Sequence, residues 1–265
     1  MSIKILPIKK HTAAEIVCNL SKIKNPQLLM IKKALNEFGM IFFKDQKLTS
    51  KNYLSFARKL GKPAFYPRLK GLSKKFPEIT VVQRKKKDKG PSFGEQFHTD
   101  SSYTKKPPTF TMLYSKIVPR KGLANTEFSS QYLAYENLPN KYKSQLNKLR
   151  GTFSSKGPIA ITTIERVKEK GKLNKELRAN HKLVKTIGKK KSIYFSAGHF
   201  ISFNSRQNRK LIELETYLKK HQIKKKFQFS LEWEKNQLAI WDNRSMLHQA
   251  TPFNGNRIMH RITIK

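Results

Sequence analysis

Short runs rich in β-branched and aromatic residues, spread along most of the chain, are what most constrain how this sequence folds. Ile79-Thr80-Val81-Val82, Phe110-Thr111-Met112-Leu113-Tyr114, Ser192-Ile193-Tyr194-Phe195, Phe227-Gln228-Phe229-Ser230-Leu231, Leu238-Ala239-Ile240-Trp241 and Arg257 to Ile264 read as strands, several with period-2 alternation. Met40-Ile41-Phe42-Phe43 adds a buried strand nearer the N-terminus. Helical spacing predicts helices over 12–23, 26–38 and 49–60, then about 129–137, 140–149 and 206–220. Pro26 stands near one helix start, and Thr49 or Ser50 caps another. Scattered strands with helical insertions, and no regular βαβ alternation, predict a mainly β fold with α insertions: a double-stranded β-helix (jelly-roll, cupin-like) barrel flanked by helices. With 265 residues and no Pro/Gly/Ser-rich linker or internal repeat, one domain over 1–265 is expected.

Composition narrows the class. Apolar residues make up 37% and aromatics 11%, which excludes a disordered chain. Residues 1–10 are basic but carry no apolar run suited to a signal peptide, and no stretch of about 18 apolar residues occurs, so neither export nor a membrane partner is expected. A lone cysteine, Cys18, has no internal disulfide partner and reads as a packed thiol in the cytoplasm. A formal charge of +39 invites a nucleic-acid partner. Against this, the basic residues are mostly Lys and are spread over nearly every exposed-looking segment, with the densest runs at 84–87, 189–191 and 224–226. A solvated, lysine-biased surface is the simpler reading, and nucleic acid is not the expected partner.

The chemistry concentrates in five residues. His98 and Asp100 flank Thr99, and in an extended segment alternate side chains share a face, so both could reach one metal ion. Such a pair is by itself little more than composition supplies. Its weight comes from His248, which follows the apolar strand 238–241 and the polar bend Asp242-Asn243-Arg244. Two imidazoles and one carboxylate on one face of a metal leave the other face open, the arrangement of non-heme Fe(II) oxygenases. Arg257 and Arg261 lie four apart on the last strand and therefore face one side with Met259 and Thr263. Two arginines inside a barrel need anionic partners; these could be an acidic cosubstrate or one of the scarce acids, such as Asp242 or Glu127. His260, on the opposite face, reads as structural, and His11, His181, His199 and His221 as surface or packing residues.

These residues resemble the taurine dioxygenase (TauD/TfdA) family. Phe97-His98-Thr99-Asp100 resembles its W-H-T-D motif, and Gly122 to Thr126 with Ala134-Tyr135-Glu136-Asn137-Leu138 its G-G-D-T and A-Y-E-x-L segments. Trp241-Asp242-Asn243-Arg244 with His248, and Arg257-Ile258-Met259-His260-Arg261, resemble its two closing motifs, with weaker similarity from Met40 onward. The resemblance implies that His98, Asp100 and His248 bind Fe(II), and that Arg257 with the Thr126 hydroxyl holds the distal carboxylate of 2-oxoglutarate, the cosubstrate used with O2. Arg261 would meet an anionic substrate group. Departures fall where substrate is chosen: Tyr66, in Phe65-Tyr66-Pro67, stands at the family's substrate-side histidine, Gly94 at its asparagine, and Asn125 at the aspartate before Thr126. Only four residues follow Arg261, so no C-terminal lid is expected.

The function implied is an Fe(II)- and 2-oxoglutarate-dependent dioxygenase. It would hydroxylate a small anionic or zwitterionic molecule and release succinate and CO2. Halogenation on the same iron would need a small residue in place of Asp100. The alternative from another class is a non-enzymatic basic nucleic-acid-binding protein. Helical insertions leave room for a homo-oligomer, with no heptad to specify one.

Overall fold

The structure is a computed structural model that describes residues 3–66, 69–159 and 175–265. It is mainly β with five described α-helices: α1 (Asn25–Phe38), α2 (Ser50–Leu60), α3 (Gln131–Glu136), α4 (Asn140–Lys148) and α5 (Arg209–His221). No described helix is long and apolar enough to cross a membrane.

A large sheet and a small one carry the site. The large sheet runs in the order β1 (Lys4–Lys9), β2 (Ala13–Val17), β3 (Met40–Phe43), β15 (Leu238–Asp242), β7 (Phe110–Ile117), β17 (Arg257–Ile264), β6 (Phe76–Arg84) and β5 (Gly71–Ser73), with β4 (Pro63–Ala64) also on β17. The small sheet is β14 (Gln228–Leu231), β8 (Thr126–Ser130) and β16 (Met246–Ala250), antiparallel throughout. The remaining strands, β9 (Arg150–Ser154), β10 (Arg178–Lys182), β11 (Val184–Ile187), β12 (Lys190–Ile193) and β13 (Phe200–Phe203), form a three-stranded sheet and a hairpin.

Alternation along the central strands explains the layers. Ile41, Phe43, Met112, Tyr114, Leu238, Ile240, Ile262 and Ile264 turn to one face of the large sheet and pack on Ile31, Leu35, Leu54 and Phe56 of α1 and α2. Met40, Phe42, Leu113, Ala239, Trp241 and Met259 turn to the other face and meet Phe128, Leu231 and Met246 of the small sheet. Both faces are therefore covered, which is why these strands read as continuous apolar runs. A third cluster, around Phe153, Phe195, Phe200, Leu214 and Phe227, joins α3 to α5 with β9, β12 and β13.

Most predicted elements appear within a few residues of their predicted ends, including Thr49 as the cap of α2, its side chain accepting from the Asn52 N–H. One prediction is overturned. Residues 12–23 are not a helix: Ala13–Val17 is β2, paired antiparallel with β1 and parallel with β3, and only Leu20–Lys22 makes a 3-10 turn. Ile16, Leu20 and Ile23 fit a helical stripe, yet Ala14 and Ile16 also fit a strand face, and pairing with Met40-Ile41-Phe42 decides the segment. β1 was not among the expected strands, and it tolerates Pro7 because it is the sheet edge. Cys18 is half-buried against the α1/α2 core, and burial pushes its thiol up to about 11, as a packing residue requires.

Candidate metal centre

His98 is placed by pairing with β16. Its N–H donates to the His248 carbonyl at 3.1 Å and its carbonyl accepts from the His248 N–H at 2.9 Å. The two imidazoles consequently project side by side, with centroids 4.3 Å apart. His248 lies in the middle of β16, past the bend that follows β15. Thr99 points away and donates to the Asn243 carbonyl at 2.6 Å, which returns Asp100 to the side of His98. The ligand-type atoms of His98, Asp100 and His248 all lie within 4.8 Å of one another, and all three residues are buried. Both Nε2 atoms stand 3.9 Å from Asp100 Oδ1.

Electrostatics prepares these groups as donors. His98 Nδ1 lies 2.6 Å from the Gln96 carbonyl, which only accepts; the ring proton is therefore on Nδ1 and the Nε2 lone pair faces the cluster. Burial lowers the pKa of both imidazoles, most strongly that of His248, so both are neutral near pH 7. For Asp100, burial alone would raise the pKa. The Arg261 guanidinium, with the two imidazoles and the Thr111 hydroxyl, outweighs that and holds the carboxyl well below the usual carboxylate range. A buried, ionised carboxylate and two neutral imidazoles converging on one point make a donor set suited to a divalent transition metal with open positions opposite.

β17 supplies both arginines to the same cavity. Residues 257, 259, 261 and 263 are buried while 258 and 260 are less so, the alternation the sequence predicted. Arg261 Nη2 forms an ion pair with Asp100 Oδ1 at 2.8 Å, its Nη1 is buried without a hydrogen-bond partner, and its guanidinium carbon lies 4.5 Å from the centre of the Tyr66 ring. Among the described residues no acid pairs with Arg257: Asp242 is taken by Arg244 at 2.6 Å, and Glu127 by Gln249 and Lys225, so the two named salt-bridge alternatives fall away. Arg257 is instead wedged between the rings of Trp233 and Phe253, each 5.8 Å away, with its Nε buried and unpartnered; burial pushes its pKa down to about 10, still a cation at pH 7. Thr126 Oγ accepts from Trp233 Nε1 at 2.9 Å and from Arg257 Nη2 at 3.5 Å, which frees its own hydrogen for an acceptor in the cavity.

Val82, Phe93, Leu113, Trp241 and Met259 supply the apolar walls. Gly94 has φ of +83°, and a Cβ there would stand 3.3 Å from His98 Cε1, so glycine lets this loop cross the imidazole closely. Tyr66 is half-buried, edge-on to Phe93, and Pro67 beside it lies outside the described residues. Asn125 turns away, its amide on Ser230. His181, His199 and His221 are buried packing residues. Trp233, Phe253 and Thr111 were missed: no motif surrounds them, and only tertiary placement brings them to the arginines and to Asp100.

The chain matches the family model described as "Taurine catabolism dioxygenase TauD, TfdA family" over residues 4–263. It is 26% identical to an alpha-ketoglutarate-dependent (2-oxoglutarate-dependent) 2,4-dichlorophenoxyacetate dioxygenase of Cupriavidus pinatubonensis, over 83% of this chain and 81% of that one. It is 24% identical to an alpha-ketoglutarate-dependent sulfate ester dioxygenase of Pseudomonas putida, over 88% of this chain and 79% of that one. The crystal structure of a taurine dioxygenase from Burkholderia xenovorans shares the fold, with a TM-score of 0.82 at 24% identity, covering 100% of this chain and 89% of that one. A buried His-Asp-His cluster, a buried arginine beside it whose Nε has no partner among the described residues and a match that spans nearly the whole chain agree: this protein belongs to the TauD/TfdA family of Fe(II)- and 2-oxoglutarate-dependent dioxygenases.

Proposed function

We propose that His98, Asp100 and His248 hold Fe(II), that Arg257 and Thr126 hold the distal carboxylate of 2-oxoglutarate, and that Arg261 and Tyr66 meet the anionic group of the substrate. The observation that carries this reading is Arg257: a buried cation with no anionic partner among the described residues, sharing one cavity with three metal-type donors. A guanidinium isolated from water is costly unless a ligand supplies the charge, and a carboxylate matches its fork. Bound there, iron and 2-oxoglutarate supply the oxidising power, with O2 consumed, succinate and CO2 released and a substrate C–H hydroxylated. The chain orients the reactants, keeps water away through its apolar walls and balances charge.

The same cavity bears on the substrate. Asp100 is the only carboxylate among the described residues that line it, and Arg261 already pairs with Asp100. A substrate ammonium would find no acid there, whereas a carboxylate or sulfate would find Arg261 Nη1. We therefore place anions with an apolar body ahead of zwitterions. The two facing sheets support a jelly-roll, double-stranded β-helix arrangement within one domain over 1–265, and the reducing cytoplasm suits both Fe(II) and the lone thiol. The nucleic-acid alternative is set aside, because it leaves the buried cluster without a role.

A panel of carboxylates, sulfonates and sulfate esters, scored by succinate release with Fe(II), 2-oxoglutarate and O2, tests the reading. Arg261→Ala is expected to lower substrate-driven turnover at least about tenfold more than substrate-independent 2-oxoglutarate decay, since a lost charge-assisted contact is worth roughly 1.5–3 kcal/mol. Equal loss of both rates would remove Arg261 from the substrate side.

A further inference from the structure

Asp100 is held by more than Arg261. Thr111, on β7 and fully buried, donates from Oγ to Asp100 Oδ2 at 2.6 Å. The same Oγ accepts from Asn243 Nδ2 at 2.9 Å, and Asn243 Oδ1 accepts from Trp241 Nε1 at 3.0 Å. The direction of this chain is not a free choice. An indole N–H only donates, so the Asn243 oxygen must face it and the amide nitrogen must face Thr111. Thr111 then receives one hydrogen and has only its own to give, and Asp100, ionised, only accepts. Donor-only indole at one end and acceptor-only carboxylate at the other fix every hydrogen between.

We infer that Thr111 and Asn243 are positioning residues that reserve Asp100 Oδ2 for the protein and present Oδ1 to the metal. Oδ1 is the oxygen that stands 3.9 Å from both imidazole Nε2 atoms and also receives Arg261 Nη2 at 2.8 Å, so the carboxylate turns only by breaking both that ion pair and the Thr111 bond on Oδ2. A ligand restricted to one oxygen occupies one coordination position; a carboxylate free to rotate would offer two and take a site that the cosubstrate or O2 needs. The relay is also tied to the frame of the site. The Asn243 N–H donates to the Thr109 carbonyl at 2.9 Å, its carbonyl accepts from Thr99, and Trp241 packs 4.6 Å from the His248 ring. One asparagine thus links the segment that carries His98 and Asp100 to the indole that packs on His248. Partners that orient metal ligands in this way typically change metal affinity or activity by about 10–100-fold when removed.

The inference rests on the reading of Asp100 as an iron ligand, and the test separates the two. Thr111→Val keeps the shape and deletes the hydroxyl; Thr111→Ser keeps the hydroxyl. Equilibrium dialysis with Fe(II) and the visible spectrum of the Co(II)-substituted protein are measured for both, with His98→Ala as the control. Thr111→Val is expected to bind Fe(II) about 10–100-fold more weakly and to alter the Co(II) spectrum, with Thr111→Ser restoring both. Parent-like affinity and spectrum in Thr111→Val overturn the relay. If Thr111→Val does not fold, Asn243→Ala takes its place, expected to shift both readouts in the same direction and overturning the relay if it leaves them unchanged. Parent-like metal binding in His98→Ala would instead overturn the metal site itself, and the relay with it.

Discussion

Arg257→Ala is expected to keep Fe(II) and to need at least about 30-fold more 2-oxoglutarate for half-maximal succinate release, the effect of roughly 2 kcal/mol, at the low end for truncating one partner of a buried charge pair. The direction follows from what surrounds the guanidinium. Trp233 and Phe253 contribute ring faces and Thr126 a hydroxyl, and no other cation among the residues lining the cavity lies free of an acid. Iron binding should persist, because neither Arg257 nor Thr126 touches the three donors. Arg257→Lys should recover part of the loss, since it restores charge without the fork that matches a carboxylate. Apparent affinity is read from succinate formed against 2-oxoglutarate at saturating Fe(II), with bound iron measured separately. An unchanged requirement in Arg257→Ala would take the residue out of cosubstrate binding, and lost iron would make it structural.

How much of this was legible in the sequence depends on the range of the interaction that fixes each part. The donors were legible because the His-x-Asp spacing is local and the later motifs place His248 and the arginines in order. Alternation on β17 needed only strand geometry, so the shared face of Arg257 and Arg261 followed directly. What surrounds them did not. That Arg257 lacks an acid among the described residues depends on Asp242 pairing with Arg244 two residues on and on Glu127 pairing with Gln249 and Lys225, which only the fold brings to it. Arg261 was expected to await a substrate and is found holding Asp100 as well, which would couple substrate charge to the proposed metal ligand. The helix expected over 12–23 failed for a similar reason: its apolar residues satisfy two periods, and only the distant β3 edge chooses between them.

The largest loss is expected from His98→Ala and His248→Ala, each of which should abolish Fe(II) binding and succinate production together. Two of three donors cannot close the site, and no fourth donor among the described residues groups with them to replace the lost imidazole. Thermal stability gives a readout independent of turnover. A metal at a hundredfold excess over its Kd adds about 2.7 kcal/mol to the folded state, so the parent protein should melt several degrees higher with Fe(II) under anaerobic conditions, and neither variant should respond. Without metal the two variants should differ from each other. His248 packs its ring 4.6 Å from Trp241 and 6.2 Å from Phe128 within the inter-sheet core, whereas His98 has His199 at 6.3 Å beyond their mutual contact. Losing an aromatic neighbour in that core should cost about 0.5–1.5 kcal/mol more in His248→Ala. Equal loss of iron with unequal loss of stability marks two donors of one metal standing in different packing. A variant that still turned over 2-oxoglutarate at the parent rate, or still gained stability from Fe(II), would show that its imidazole is not a ligand.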